Sequence, residues 1–358
     1  MPETTYRGRR ARSIENQHVR VTVLVEGGHV AEIVRKQTGV NPLWTPPWPS
    51  IEPSTYSLKE HPEYGDDAEA KLLSGIMGHN LCMDIFGGVS AEEFAAGMSV
   101  HGEASVASYA IEEKPGELVM RAQFPESRLG FERRLALHPD RAVIDFHETV
   151  ENLSATDRPI GWTQHVTLGP PFLEKGATQF RASATRSKVI EADFTGGKGY
   201  MKPSEEFNWP SVPHLDKTFS DLRVYTGLPV SGGYTTHLMD RKVEHAYFLA
   251  WSPKSRLAFG YVWRREDFPW LGIWEENYSR THRPWNGKAL TRGMEFGVSP
   301  MPETRRDMLA RGSMFGIPGY RWIPARSKVE VRYRAAAAEA PAVPESLQWS
   351  EKDGARFD

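Results

Sequence analysis

Apolar and polar residues alternate in short runs along most of the chain, a period of two that places successive side chains on opposite faces of an extended strand. Val19 to Val25 reads as one such strand, Glu26-Gly27-Gly28 as a tight turn, and His29 to Val34 as its return. Tyr109 to Val150 repeats the device: apolar-polar runs are broken at Lys114-Pro115-Gly116 and at His138-Pro139-Asp140, which predicts an antiparallel meander. A third block runs from His245 to Trp251, through Ser252-Pro253-Lys254-Ser255, and back from Leu257 to Trp263; the last strand expected is Lys328 to Arg334. With 31 Gly and 26 Pro spread between these runs, the punctuation is that of a β protein.

Helical patterning is confined to Ala91–Ala96 and Arg305–Ala310, each long enough for one or two turns. Strands do not alternate with helices, so a Rossmann or TIM-type fold is not expected, and no fixed-period repeat is visible. The pattern therefore predicts an all-β protein with one body over residues 15–335. That body is too large for a single immunoglobulin-type sandwich and suits two large, mainly antiparallel sheets. Residues 1–14 read as an N-terminal extension, and 336–358, with Pro341 and Pro344, as a surface-laid or flexible tail.

Composition narrows the function classes. The 44 Lys and Arg balance 46 Asp and Glu, which argues against a nucleic-acid partner, since a phosphate-facing surface needs a basic excess. No apolar run approaches the roughly 18 residues of a membrane span, and the basic start Arg7-Gly8-Arg9-Arg10 is followed by no apolar secretory segment. Cys82 is the one cysteine, so no internal disulfide or cysteine-rich metal site is expected, and the cytoplasm is the expected location.

No phosphate loop, His-Glu-x-x-His or Gly-x-Ser-x-Gly motif is present, so chemistry has to be sought in weaker constellations. Gly75 to Gly88 interrupts an apolar stretch with four glycines and with His79 and Asn80, a composition that lets backbone approach a ligand or simply lets a wide sheet bend. His101-Gly102 precedes the meander, and His165 sits inside the strand-like run Gly161 to Leu168; taken singly, each is as readily a hydrogen-bonded structural histidine. Glu295 lies in Arg292-Gly293-Met294-Glu295-Phe296-Gly297, where apolar neighbours would raise a carboxyl pKa toward that of a general base, or where Arg292 would hold it in a salt bridge. Phe268 to Arg280, followed by Pro284-Trp285-Asn286, concentrates rings beside Glu275, Glu276, Asn277 and Arg280, a mix that suits sugar stacking as well as an aromatic core.

In this order, His101-Gly102 before a meander, Asn152-Leu153-Ser154 leading to a strand with His165, and a late Gly293-Met294-Glu295 followed by Pro300 resemble the galactose mutarotase-like family, which includes the aldose 1-epimerases. The resemblance spans roughly residues 18–334 and implies a β-supersandwich fold. It also implies Glu295 as general base on the anomeric hydroxyl, His165 as general acid on the ring oxygen and His101 as a sugar ligand, with no metal or other cofactor. The family's early Gly-Arg-x-x-Asn-Arg type of motif has no clean equivalent; Gly78-His79-Asn80 stands in its place, and Asp240 is the nearest match to the family's middle acidic residue. Trp274, Glu276 and Arg280 lie outside the usual pattern and are expected substrate contacts of another kind.

The expected partner is a carbohydrate, bound by a monomer or homodimer with neither nucleic acid nor membrane. Three other readings stay open: a lyase or hydrolase in which Arg280 or Arg292 neutralises a uronate, a non-catalytic carbohydrate-binding protein, and a zinc site built from His79, His101 and His165.

Overall fold

The computed structural model describes residues 4–358. Two antiparallel sheets dominate, one of 12 strands and one of 8, so the all-β expectation holds. The larger sheet runs Thr4–Tyr6, Arg9–Glu15, Val19–Leu24, Val30–Arg35 and His79–Asp84, then Arg158–Leu168, Leu290–Gly297, Trp270–Asn277, Ser231–Met239, Ala184–Val189 and Glu206–Asn208. Arg321–Ile323 pairs with the start of Arg158–Leu168. The smaller sheet contains the predicted meander, Ala110–Lys114 through Val143–Asn152, continued by Lys328–Glu339, Leu257–Arg264, His245–Ser252 and Gln179–Ala182.

Period-two patterning decides which residues hold the sheets together. In Leu290–Gly297, Met294 and Phe296 belong to the core cluster between the sheets, whereas Glu295 between them faces the other way. Phe296 stacks on Trp263 of the smaller sheet at 4.3 Å, and burying each such ring contributes about 1.5–3 kcal/mol.

The same core holds a polar knot. Glu148 accepts from Arg133 Nε at 2.7 Å, Tyr333 Oη at 2.6 Å, Trp162 Nε1 at 2.9 Å and Gln164 Nε2 at 2.7 Å. Gln164 Oε1 in turn accepts from Arg133 Nη2 at 3.0 Å and from His79 Nε2 at 2.9 Å, while His79 Nδ1 accepts from Tyr261 Oη at 3.0 Å. Every oxygen of the Glu148 carboxylate is partnered, the condition under which a buried charge is tolerated.

Both termini depart from expectation. From Thr4 onward, the expected N-terminal extension forms two strands of the larger sheet, and Arg9, fully buried, donates to Glu52 and to the carbonyls of Gly75 and Glu26. The arginines at 7, 9, 10 and 12 masked a strand that buries Ala11 on one face and Ile14 on the other. At the other end the strand Lys328–Glu339 runs past residue 335, and the hairpin Leu347–Ser350 with Gly354–Phe357 packs Leu347 and Ala355 against Val143, Leu249 and Ala336. Both expected helical segments form, as Ala91–Ala95, closed by a Ser90–Glu93 capping box, and Arg305–Arg311, capped by Thr304. Among the described residues no helix is long and apolar enough to cross a membrane.

Candidate active site

His165 and Glu295 are directly opposed partners on adjacent strands, and both turn away from the smaller sheet. His165 Nε2 stands 3.1 Å from Glu295 Oε1, and His165 Nδ1 is 3.0 Å from Thr167 Oγ1. The approach lacks hydrogen-bond geometry, so Oε1 is left without a partner. The carboxyl owes its position to a missing side chain: a Cβ on Gly293 would sit 2.2 Å from Glu295 Oε1. Burial raises the Glu295 pKa well above the ordinary carboxylate value and lowers that of His165 well below the ordinary imidazole value, with His101 adding to the latter. Desolvation thus favours a neutral carboxyl beside a neutral imidazole.

This fixes the pH response of stability. Above pH 4.5 an unfolded chain has released the proton that folded Glu295 keeps, so stability falls as pH rises through the window above that value. His165 acts in the opposite sense: below pH 6.5 the unfolded chain binds a proton that the folded one refuses, so stability is lost as pH falls. Glu295→Gln removes the first effect alone, and its thermal midpoint should gain on the wild type progressively from pH 5 to pH 8. A gain that shrinks over that range would mean the carboxylate is ionised in a salt bridge with His165.

His101 completes the polar floor. Its Nδ1 donates to the Phe86 carbonyl at 2.5 Å, which leaves Nε2 as an acceptor, and its ring centroid lies 5.0 Å from that of His165. Gly102 is required beside it: φ is +77°, and a Cβ would strike the Met83 carbonyl at 2.0 Å. Above this floor opens a cavity of about 260 Å³, small for a ligand site. Trp274 lies edge-on to both His165 and Trp285, with centroids 5.9 Å away in each case. Arg280 spans the rim, its guanidinium 4.7 Å over the Trp285 ring, with Nη1 3.4 Å from Glu69.

The structure therefore gathers Glu295, His165, His101, Trp274 and Arg280 around one cavity. Asn80 shares their row, directly opposed to His165, but its amide reaches only Cys82 Sγ at 3.9 Å and does not line the space. His79, expected beside it, points the opposite way into the polar knot, as adjacent strand residues must. Three imidazoles consequently do not converge, and among the described residues no cluster of three or more His, Cys, Asp or Glu is placed to hold a metal ion.

Asp240 sits at a strand end and accepts from the Lys242 amide, away from the cavity. Glu276 is fully buried and accepts from Ser279 N, Ser279 Oγ and Arg280 N, so it holds the loop that carries Arg280 and does not face a ligand. Arg292 pairs with Glu275 at 3.3 Å, on the face turned from Glu295, so it is neither the carboxyl's salt-bridge partner nor an anion site in this cavity. The sequence reading missed Glu69, Tyr234 and the wall made by Leu72, Leu73 and Ile76; the only signal for that wall was an apolar pair in a segment with no strand pattern.

No family model and no curated protein matches the sequence. Solved structures do. A candidate aldose 1-epimerase of Klebsiella pneumoniae is 13% identical over 93% of this chain and 80% of that one, with a TM-score of 0.67. A galactose mutarotase related enzyme of Lactobacillus acidophilus is 14% identical over 93% and 99%, at 0.59. A candidate aldose 1-epimerase of Escherichia coli K12 is 11% identical over 92% and 99%, at 0.60. At these identities the likeness is one of fold, and the chain has the galactose mutarotase-like β-sandwich fold.

Proposed function

We propose that the protein is an aldose 1-epimerase that interconverts the anomers of a sugar through its open-chain form. The observation that carries this reading is the 3.1 Å approach of His165 Nε2 to Glu295 Oε1 on the floor of an aromatic-walled cavity. Ring opening needs one proton taken from O1 and one given to O5, and these oxygens share a carbon, so two adjoining groups can serve both. The pair carries one exchangeable proton, on Nε2 or on Oε1, and the sugar rather than a direct hydrogen bond relays it between them. With that proton on His165, Glu295 takes the O1 proton while His165 protonates O5; the C1–O5 bond breaks and a C1 carbonyl forms. Rotation about C1–C2 and reversal of the steps yield the other anomer and return the pair to its starting state. His101 Nε2 is free to accept from a sugar hydroxyl, and Trp274 offers an apolar surface to the sugar ring.

A shared proton predicts a two-sided pH profile for turnover. The acid limb falls below the ordinary imidazole pKa, where His165 gains a second proton, and the alkaline limb lies above the ordinary carboxylate pKa, where Glu295 loses the first. Anomer interconversion followed by polarimetry or exchange NMR across pH tests it. Turnover that rises with pH and never declines would point to a lone carboxylate base. No acceleration of any aldose would remove the epimerase reading and favour a carbohydrate-binding protein.

A further inference from the structure

The polar atoms left without a partner around the cavity are mostly donors. Among the buried side-chain atoms of its lining residues, Trp274 Nε1, Trp285 Nε1 and Arg280 Nε have no acceptor, and Glu295 Oε1 is the other unpartnered atom. Both indoles are more than nine-tenths buried, so each N–H without an acceptor is a standing cost that a bound acceptor relieves. Arg280 adds the unused Nη2 beside the Nη1 that reaches Glu69. Its guanidinium is fixed among rings, 4.7 Å over Trp285, 5.6 Å over Trp274 and 5.4 Å over Phe194. Its charge is already met, because Glu69 lies 3.4 Å from Nη1 and Glu276 lies 3.7 Å from Nε, beyond hydrogen-bond reach but close enough to share the charge. A carboxylate or phosphate on the ligand would bring a third negative group to this one cation. The acceptor that fits is therefore neutral.

Beside these donors the wall is apolar, made by Leu72, Leu73, Ile76, Val100 and Ile190. His101 Nε2 is a free acceptor, and the rings of His101 and Trp274 both lie beside His165, with centroids 5.0 and 5.9 Å from it. In the reading above His165 and Glu295 serve O5 and O1, so a substituent on C2, one bond from the anomeric carbon, comes within reach of both. A hydroxyl there can accept one N–H and donate to His101, but it gives the apolar wall nothing. An acylamino group brings a neutral carbonyl oxygen for the donors, an N–H for His101 Nε2 and a methyl for the wall. We infer that the ligand, on the reading just proposed, is a 2-acylamino aldose of the N-acetylhexosamine class. Its carbonyl oxygen accepts from the group formed by Trp274, Trp285 and Arg280, and its methyl meets the Leu72–Ile76 wall.

The test is a panel of N-acetylglucosamine, N-acetylgalactosamine and N-acetylmannosamine against glucose, galactose, mannose and glucuronate, read as kcat/KM for anomer interconversion. At least one acetamido sugar should exceed its parent hexose by about tenfold or more. Parent hexoses equal to or better than all three, or glucuronate best of all, would overturn the inference. A parallel arm measures binding of the 1,5-anhydro analogues of the same sugars by calorimetry, since these lack O1, cannot open and so report recognition without catalysis. If no aldose is accelerated yet the acetamido analogues bind about tenfold more tightly than the plain ones, the ligand class stands and the epimerase reading falls. If no aldose is accelerated and neither series binds, or both bind equally, the ligand class falls as well. Trp274→Phe combined with Trp285→Phe keeps both rings but removes both indole N–H groups, and should cut the preference for the acetamido sugar by about tenfold. The preference is read as the ratio of kcat/KM values or, without turnover, of affinities; an unchanged ratio in a variant with an intact thermal midpoint would overturn the inference.

Discussion

Replacing Glu295 by Gln should lower the turnover of anomer interconversion by about two to four orders of magnitude, the range that a positioned general base supplies. The amide keeps the shape that fits over Gly293 and can still meet His165, but it cannot take the O1 proton. Folding should survive, because Oε1 has no hydrogen bond to lose and burial already disfavours its charge. Turnover and thermal midpoint measured on the same preparation separate the outcomes. Loss of rate with an intact midpoint supports the base assignment, loss of both makes Glu295 a structural residue, and an unchanged rate removes it from the chemistry.

The largest effect on stability is expected on the other face of the same strands, at the polar knot between the sheets. Glu148→Leu would strand the Arg133 guanidinium, 1% exposed, without a counter-charge, and would leave Trp162 Nε1 and the Gln164 amide short of an acceptor. Breaking a buried pair from one side typically costs about 3–5 kcal/mol. The double variant Arg133→Met with Glu148→Leu removes both charges and should recover the part of the loss due to the stranded guanidinium, while Trp162 and Gln164 stay short of an acceptor. Urea unfolding of wild type, the single variant and the double variant measures this directly. A single-variant cost below about 1 kcal/mol would show that water reaches Arg133 and that the knot is not sealed.

How much of this was legible in advance depends on what each feature rests on. The hairpin of Val19–Leu24 with Val30–Arg35 and the meander from Ala110 to Asn152 were readable because local alternation and turn residues specify them. Their distant pairings were not, since nothing near His165 announces that its neighbours across the sheet are Asn80 and Glu295. Facing was the harder quantity. His79 and Asn80 look equivalent in the sequence, yet one lies in the polar knot and the other in the row of the candidate site. Glu275 and Glu276 diverge in the same way, the first toward Arg292 and the second toward the 279–280 loop. The apolar wall was invisible for a different reason: Leu72, Leu73 and Ile76 are unremarkable residues that acquire a role only by lying over His101 and Glu295.

The pairing of Arg158–Leu168 with Leu290–Gly297 has a consequence for how the molecule comes to be competent at all. His165 meets Glu295 only in one alignment of two segments that are distant in the chain. A slip by a single residue would set His165 opposite Met294 or Phe296 and swing the carboxyl toward the interior. Pairing two segments so far apart in the chain carries a large loop-closure entropy and is slow compared with forming local hairpins. On the proposed reading, activity would therefore report register where compactness and strand content cannot, since only the correctly aligned molecule sets imidazole and carboxyl side by side to serve O5 and O1.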